Sequence, residues 1–69
     1  TIRGRLLSFM SYRAAQSQEA WFTIPFNRQQ LADYLGVDRS ALSNELSKMQ
    51  REGLLQVEKN RFRLLAGPL

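Results

Sequence analysis

A chain of 69 residues that is 43 % apolar and 23 % charged has the composition of one small globular domain, not of a disordered segment. Ten Lys/Arg against six Asp/Glu give a net charge of +4, with most of the excess from Arg39 onward, where six basic residues meet three acidic ones. Cysteine and histidine are absent, which excludes disulfides, Cys/His zinc sites and Ser-His-Asp or Cys-His relays, while no apolar run nears the roughly 18 residues of a membrane span and none reads as a signal peptide.

The first predicted element is an amphipathic helix over 2–15, in which Ile2, Leu6, Phe9, Met10 and Arg13 fall at helical spacing and Leu7 widens the stripe. Gly4 weakens its first turn, and the polar stretch Gln16 to Glu19 is expected to end it. Trp21-Phe22-Thr23-Ile24, aromatic and β-branched, predicts a short strand over 21–24 that stops at Pro25. Asn27 followed three residues later by Gln30 has the form of a capping box. It opens a helix over 28–35 with Leu31, Ala32 and Leu35 on one face and Gly36 as its C′ residue. Only Val37 and Asp38 follow, and Asp38 is a natural N-cap. The next helix, 39–52, ends at Gly53; its 14 positions span about 21 Å. Leu42, Leu46 and Met49 define its inner face. Glu45 and Glu52 lie toward that inner edge, where Lys48 is placed to offset both along the helix.

The C-terminal part predicts a β-hairpin over 55–65. Leu55 and Val57 alternate with Gln56 and Glu58, and Phe62 and Leu64 alternate with Arg61 and Arg63. Lys59-Asn60 supplies the turn, with Asn60 as the residue that tolerates positive φ. Gly67-Pro68-Leu69 is expected to be a tail. The fold class that results is mainly α with a small β-wing: three helices, a short strand and a C-terminal hairpin, a winged helix-turn-helix forming a single domain over 1–69.

The outward face of helix 39–52 is centred on Ser40, Asn44, Ser47 and Arg51, with Arg39, Ser43 and Lys48 on its flanks and no acid among them. Short side chains near a helix start permit approach to base edges, Arg can contact guanine bidentately, and Asn can do the same to adenine. A merely solvated helix shows a polar face too, but it would favour Glu, Lys and Ala over the weaker helix formers Ser and Asn. Arg28 and Gln29 begin the preceding helix, where amides and a guanidinium can grip phosphate. The wing adds Lys59, Arg61 and Arg63, which serve equally as a solubilising strand edge. Two other classes compete. A protein-interaction winged helix would show Trp21, Phe22 and Tyr34 exposed together. An enzyme needs a constellation that six carboxylates and two tyrosines without histidine do not form, and Asp33 and Asp38 read as helix-surface and cap residues; the chain is expected not to be an enzyme and to hold no metal.

From Phe26 to Leu65 the sequence resembles the DNA-binding domain of the cyclic AMP receptor protein / fumarate-nitrate regulator (Crp/Fnr) family. The carriers are the run from Asn27 to Leu46, with Leu35-Gly36 at the turn, and the exit Glu52-Gly53-Leu54-Leu55. The resemblance implies the C-terminal domain of a longer bacterial transcription regulator that binds double-stranded DNA. It implies a homodimer formed through a helix outside this chain, and RNA polymerase as a further partner. Any effector would bind a separate N-terminal sensor, with no cofactor in this domain, and the setting would be cytoplasmic, nucleoid-associated when bound, with no membrane contact. In the family the first, second, fifth and sixth residues of the recognition helix touch bases; these correspond to Arg39, Ser40, Ser43 and Asn44. Phosphate contacts carry over to Arg28 and Gln29 at the start of the first helix and to Lys59 and Asn60 at the wing tip; Ser47, Lys48 and Arg61 are expected to touch phosphate beside them. Many members have Glu where this chain has Ser40 and Arg where it has Asn44, so the familiar half-site does not transfer.

Overall fold

In the computed structural model, which describes residues 1–65, the chain forms the element order α1 (Ile2–Ser17), β1 (Phe22–Thr23), α2 (Arg28–Leu35), α3 (Arg39–Arg51), β2 (Leu55–Glu58) and β3 (Arg61–Leu64). The expected tail Gly67-Pro68-Leu69 lies outside the described residues. The three strands form one antiparallel sheet in the order β1-β3-β2. This is a winged helix-turn-helix.

Each helix starts where a side chain can satisfy the amides left unpaired in a first turn. The Thr1 hydroxyl accepts from the Gly4 amide at 3.0 Å, which offsets the low propensity of Gly4. At α2 the capping box is complete: Asn27 Oδ1 accepts from the Gln30 amide at 2.8 Å, and Gln30 Oε1 accepts from the Asn27 amide at 2.9 Å. At α3 Asp38 Oδ2 accepts from the amides of Ser40 (2.9 Å) and Ala41 (3.2 Å).

Helix α1 runs two residues beyond the expected 15. Polar side chains do not end a helix by themselves; here Gln16 Nε2 donates to Tyr12 Oη one turn back at 3.1 Å, and the break comes at Gln18, whose φ of 56° is left-handed. Strand β1 is two residues long, not the four of 21–24. Only Phe22 and Thr23 pair, with Phe62 and Arg61, because Pro25 lacks an amide proton and the chain turns there toward α2. Helix α3 stops at Arg51, one residue before the expected 52: Glu52 is its C-cap, and Gly53 takes the left-handed conformation that lets the Leu54 amide reach Met49 O. In the hairpin the positive φ falls on Lys59, at 59°, and not on Asn60; the twist of paired strands asks for it at the first turn position. The strands cover 55–58 and 61–64 of the expected 55–65, and the Leu65 amide adds one further bond to Leu54 O.

The core is contiguous. Leu6 and Met10 of α1, Leu31 and Ala32 of α2, Leu42, Leu46 and Met49 of α3, and Phe22, Ile24, Leu55 and Phe62 from the sheet side are all buried. Helix α1 packs on α2, α3 and the sheet, so it is the platform against which the other two helices are set. Between α2 and α3 the chain turns at Gly36, with φ 72°. A Cβ there would meet only Arg5 Nη1 at 3.6 Å, an ordinary contact, so the demand for glycine comes from the backbone conformation. Gly36→Ala is therefore expected to lower stability by about 1–2 kcal/mol, measured by urea unfolding; an unchanged midpoint would contradict the assignment of this turn.

Candidate nucleic-acid interface

The inner stripe Leu42, Leu46 and Met49 is buried, which sets the rotation of α3. The opposite side therefore faces solvent: Arg39, Ser40, Ser43, Asn44, Ser47, Lys48 and Arg51 are all exposed. Among the described residues none of these side chains makes a hydrogen bond or ion pair within the protein. Thirteen residues at 1.5 Å each make a rod of about 20 Å, and a helix about 10–12 Å across matches a major groove about 12 Å wide.

The flanking residues are placed differently. Arg28 is half-buried; its guanidinium lies 5.1 Å from the Phe62 ring centroid and donates to the Lys59 carbonyl at 3.0 Å. Burial and the nearby charge of Arg39 both hold its pKa below the usual arginine value. Arg28 thus ties the start of α2 to the wing turn and stands within the field of Arg39 at the start of α3. Gln29 is exposed, and its Nε2 donates to Asp33 at 2.9 Å. Lys59 and Asn60 are exposed at the turn. Arg61 sits over Trp21, 4.9 Å from its ring, and pairs with Glu58 at 3.0 Å. Arg63 projects from the same outer sheet face as Arg61.

Neither Glu45 of α3 nor Glu52 at its C-cap forms an ion pair with Lys48. Both turn to α1, where Arg3 Nε donates to Glu45 Oε2 at 2.6 Å and Arg3 Nη1 and Nη2 donate to the two Glu52 oxygens at 2.8 Å each. The guanidinium presents a fork of two donors to Glu52 and a third donor to Glu45, a geometry that the point charge of a lysine ammonium matches less well. The Arg3 hydrogen bonds, helped by Lys48 and Arg51, hold the Glu52 carboxyl below its ordinary pKa, and the same bonds raise that of Arg3. A second arginine of α1, Arg5, donates to the carbonyls of Leu35 (3.1 Å) and Gly36 (3.4 Å) at the end of α2. Neither arginine was marked by any local pattern.

The three aromatics that would mark a protein-binding face do not cluster. Phe22 is buried and Trp21 is partly covered by Arg61, whereas Tyr34, 64 % exposed, stands beside Phe9 and Phe26, 5.2 Å from each ring. No helix among the described residues is long and apolar enough to cross a membrane.

Residues 4–66 match the family model of the Crp-like helix-turn-helix domain, a span that runs from within the first turn of α1 through α2, α3 and the sheet. A comparison with curated proteins gave no match.

The Arg3 clasp has a pH signature. Glu52 is harder to protonate folded than unfolded, so its contribution to stability is complete above about pH 4.5, its ordinary pKa, and is lost as pH falls through the lower folded value. Thermal unfolding of the parent chain between pH 6 and pH 3 is expected to show a steeper fall than that of Arg3→Met; parallel curves would remove the clasp from the account.

Proposed function

The chain belongs to the Crp-like helix-turn-helix domain family and is a DNA-binding domain, and from that premise we propose that it reads duplex DNA by sequence, with α3 in the major groove and the wing on the backbone. The observation that carries this reading is the bare outer face of α3, seven exposed polar or cationic side chains with no acid among them. Arg39, at the helix start, contacts guanine through N7 and O6, and Asn44 contacts adenine through N6 and N7. Ser40 and Ser43 are short enough to let the helix axis approach the base edges, and each hydroxyl donates or accepts.

Phosphates fall to the rim. Lys48 and Ser47 lie along the flank of the rod. At α3 the carboxylate of Asp38 already occupies two of the first-turn amides, so a phosphate finds its amides at α2 instead, at Arg28 and Gln29. Asn27, the cap there, is neutral and takes only the Gln30 amide. Lys59 and Asn60 reach the adjacent backbone from the wing turn. Arg61 adds positive field more than a directed contact, since Glu58 shares its guanidinium. Nothing in this contact set requires a cofactor.

One module of this kind buries only about 600–1,000 Å² of protein surface, so full affinity requires two copies on inverted half-sites about one helical turn apart. A second reading, a winged helix that binds protein, is favoured by the exposed rings of Tyr12 and Tyr34. Salt separates the two, because each neutralised phosphate steepens the decline of log K with log salt by about 0.9, whereas an apolar contact responds weakly.

Selection from a random duplex pool by a tethered dimer of the domain is expected to return two inverted motifs; a featureless pool would contradict sequence reading. Asn44→Ala is expected to relax preference at one base position by about 1–3 kcal/mol and leave the others unchanged. Equal weakening on all sequences would refute its role.

A further inference from the structure

Lys48 stands three residues after Glu45 and four before Glu52, so along an isolated helix both carboxylates are its neighbours. In the folded chain neither takes it. Both are held by Arg3, with one donor on Glu45 and two on Glu52, and Lys48 is exposed and without an ion pair or hydrogen bond among the described residues. Glu45 is the more enclosed of the two acids, its side chain only 18 % exposed, so its orientation toward α1 is constrained on the protein side. The arrangement separates the charges of the rod: its acids are pinned to the inner edge, and its cations are left on the outer one.

We propose that Arg3 is a positioning residue of the DNA interface: by engaging Glu45 and Glu52 from α1 it keeps them off Lys48 and leaves that ammonium available to a phosphate. The inference rests on the reading of Lys48 as a phosphate contact. Arg3 does not touch DNA in this scheme. Its loss releases two carboxylates to swing toward Lys48, which then exchanges a phosphate for an internal partner. This effect differs from the loss of one positive charge, because it vanishes when the two acids are neutralised.

The salt dependence of binding to a mixed-sequence duplex reads the number of phosphates engaged. The measurement uses the full 69-residue chain. Arg3→Met is expected to make the slope of log K against log salt shallower by about 0.9, the same change as Lys48→Met, and the double variant should show no further change. Arg3→Met/Glu45→Gln/Glu52→Gln is expected to recover the parent slope. Arg13→Met, which removes an equal charge from the far part of α1, should leave it unaltered. Arg3→Leu, which also lacks any donor for the two acids, serves in place of Arg3→Met should the latter unfold. The proposal is overturned if Arg3→Met or Arg3→Leu keeps the parent slope, if Arg13→Met shifts it as much, or if the triple variant stays shallow, the last assigning Arg3 to fold integrity alone. If Lys48→Met itself leaves the slope unchanged, or the parent chain binds no duplex even at low salt, where phosphate contacts are strongest, the underlying reading of the interface fails, and that failure is visible without any Arg3 variant.

Discussion

Three apolar side chains on one stripe of α3 hold the rest in place. Leu42, Leu46 and Met49 are buried against α1, α2 and the sheet, at about 1.5–3 kcal/mol for each side chain fully withdrawn from water. Ser40, Ser43, Asn44 and Ser47 on the other side are poor helix formers, each costing up to about 0.7 kcal/mol relative to alanine. Burial on the inner side outweighs that cost, so the outer side is released from any structural duty. A helix held by one stripe can carry almost any polar set on the opposite one, which allows a recognition helix to vary its contacts without losing its place.

The same separation extends to charge. Six acids are present in the chain, yet none lies on the outer face of α3. Asp38 is turned into the helix start as a cap, and Glu45 and Glu52 are drawn to α1 by Arg3. Helix α1 is thus more than a packing slab: its first turn grips the back of α3 through Arg3 and the end of α2 through Arg5. The orientation of both helices of the helix-turn-helix is referred to one short segment.

What could be read from sequence was local. The Asn27/Gln30 box, the Asp38 cap and the glycine at position 36 are signals carried within four residues, and α2 follows them to the residue. The buried stripe of α3 follows from helical period, and with it the exposure of the proposed contact residues. The parts that differed involve competition or distance. Gln16 and Ser17 are polar, but a side-chain bond along the helix retains them. The strand at 22–23 is shortened by what Pro25 removes from a ladder whose partner lies some forty residues on. Arg3 meets Glu45 and Glu52 across separations of 42 and 49 residues, and Arg28 reaches the Lys59 carbonyl across 31. Helical spacing proposed Lys48 as the partner of both acids, and no periodicity in the chain could show that a guanidinium from α1 would displace it.

The central claim is that the Ser40/Asn44 side of α3 is the surface that enters the duplex. An NMR titration of the isotope-labelled chain with duplex DNA tests it most directly, because weak binding is sufficient. The account predicts that amide signals from Arg39 to Lys48 move first and furthest, with those of Arg28, Gln29, Lys59 and Asn60 beside them. Movement centred on Tyr12 and Tyr34, with the α3 signals unmoved, would contradict it.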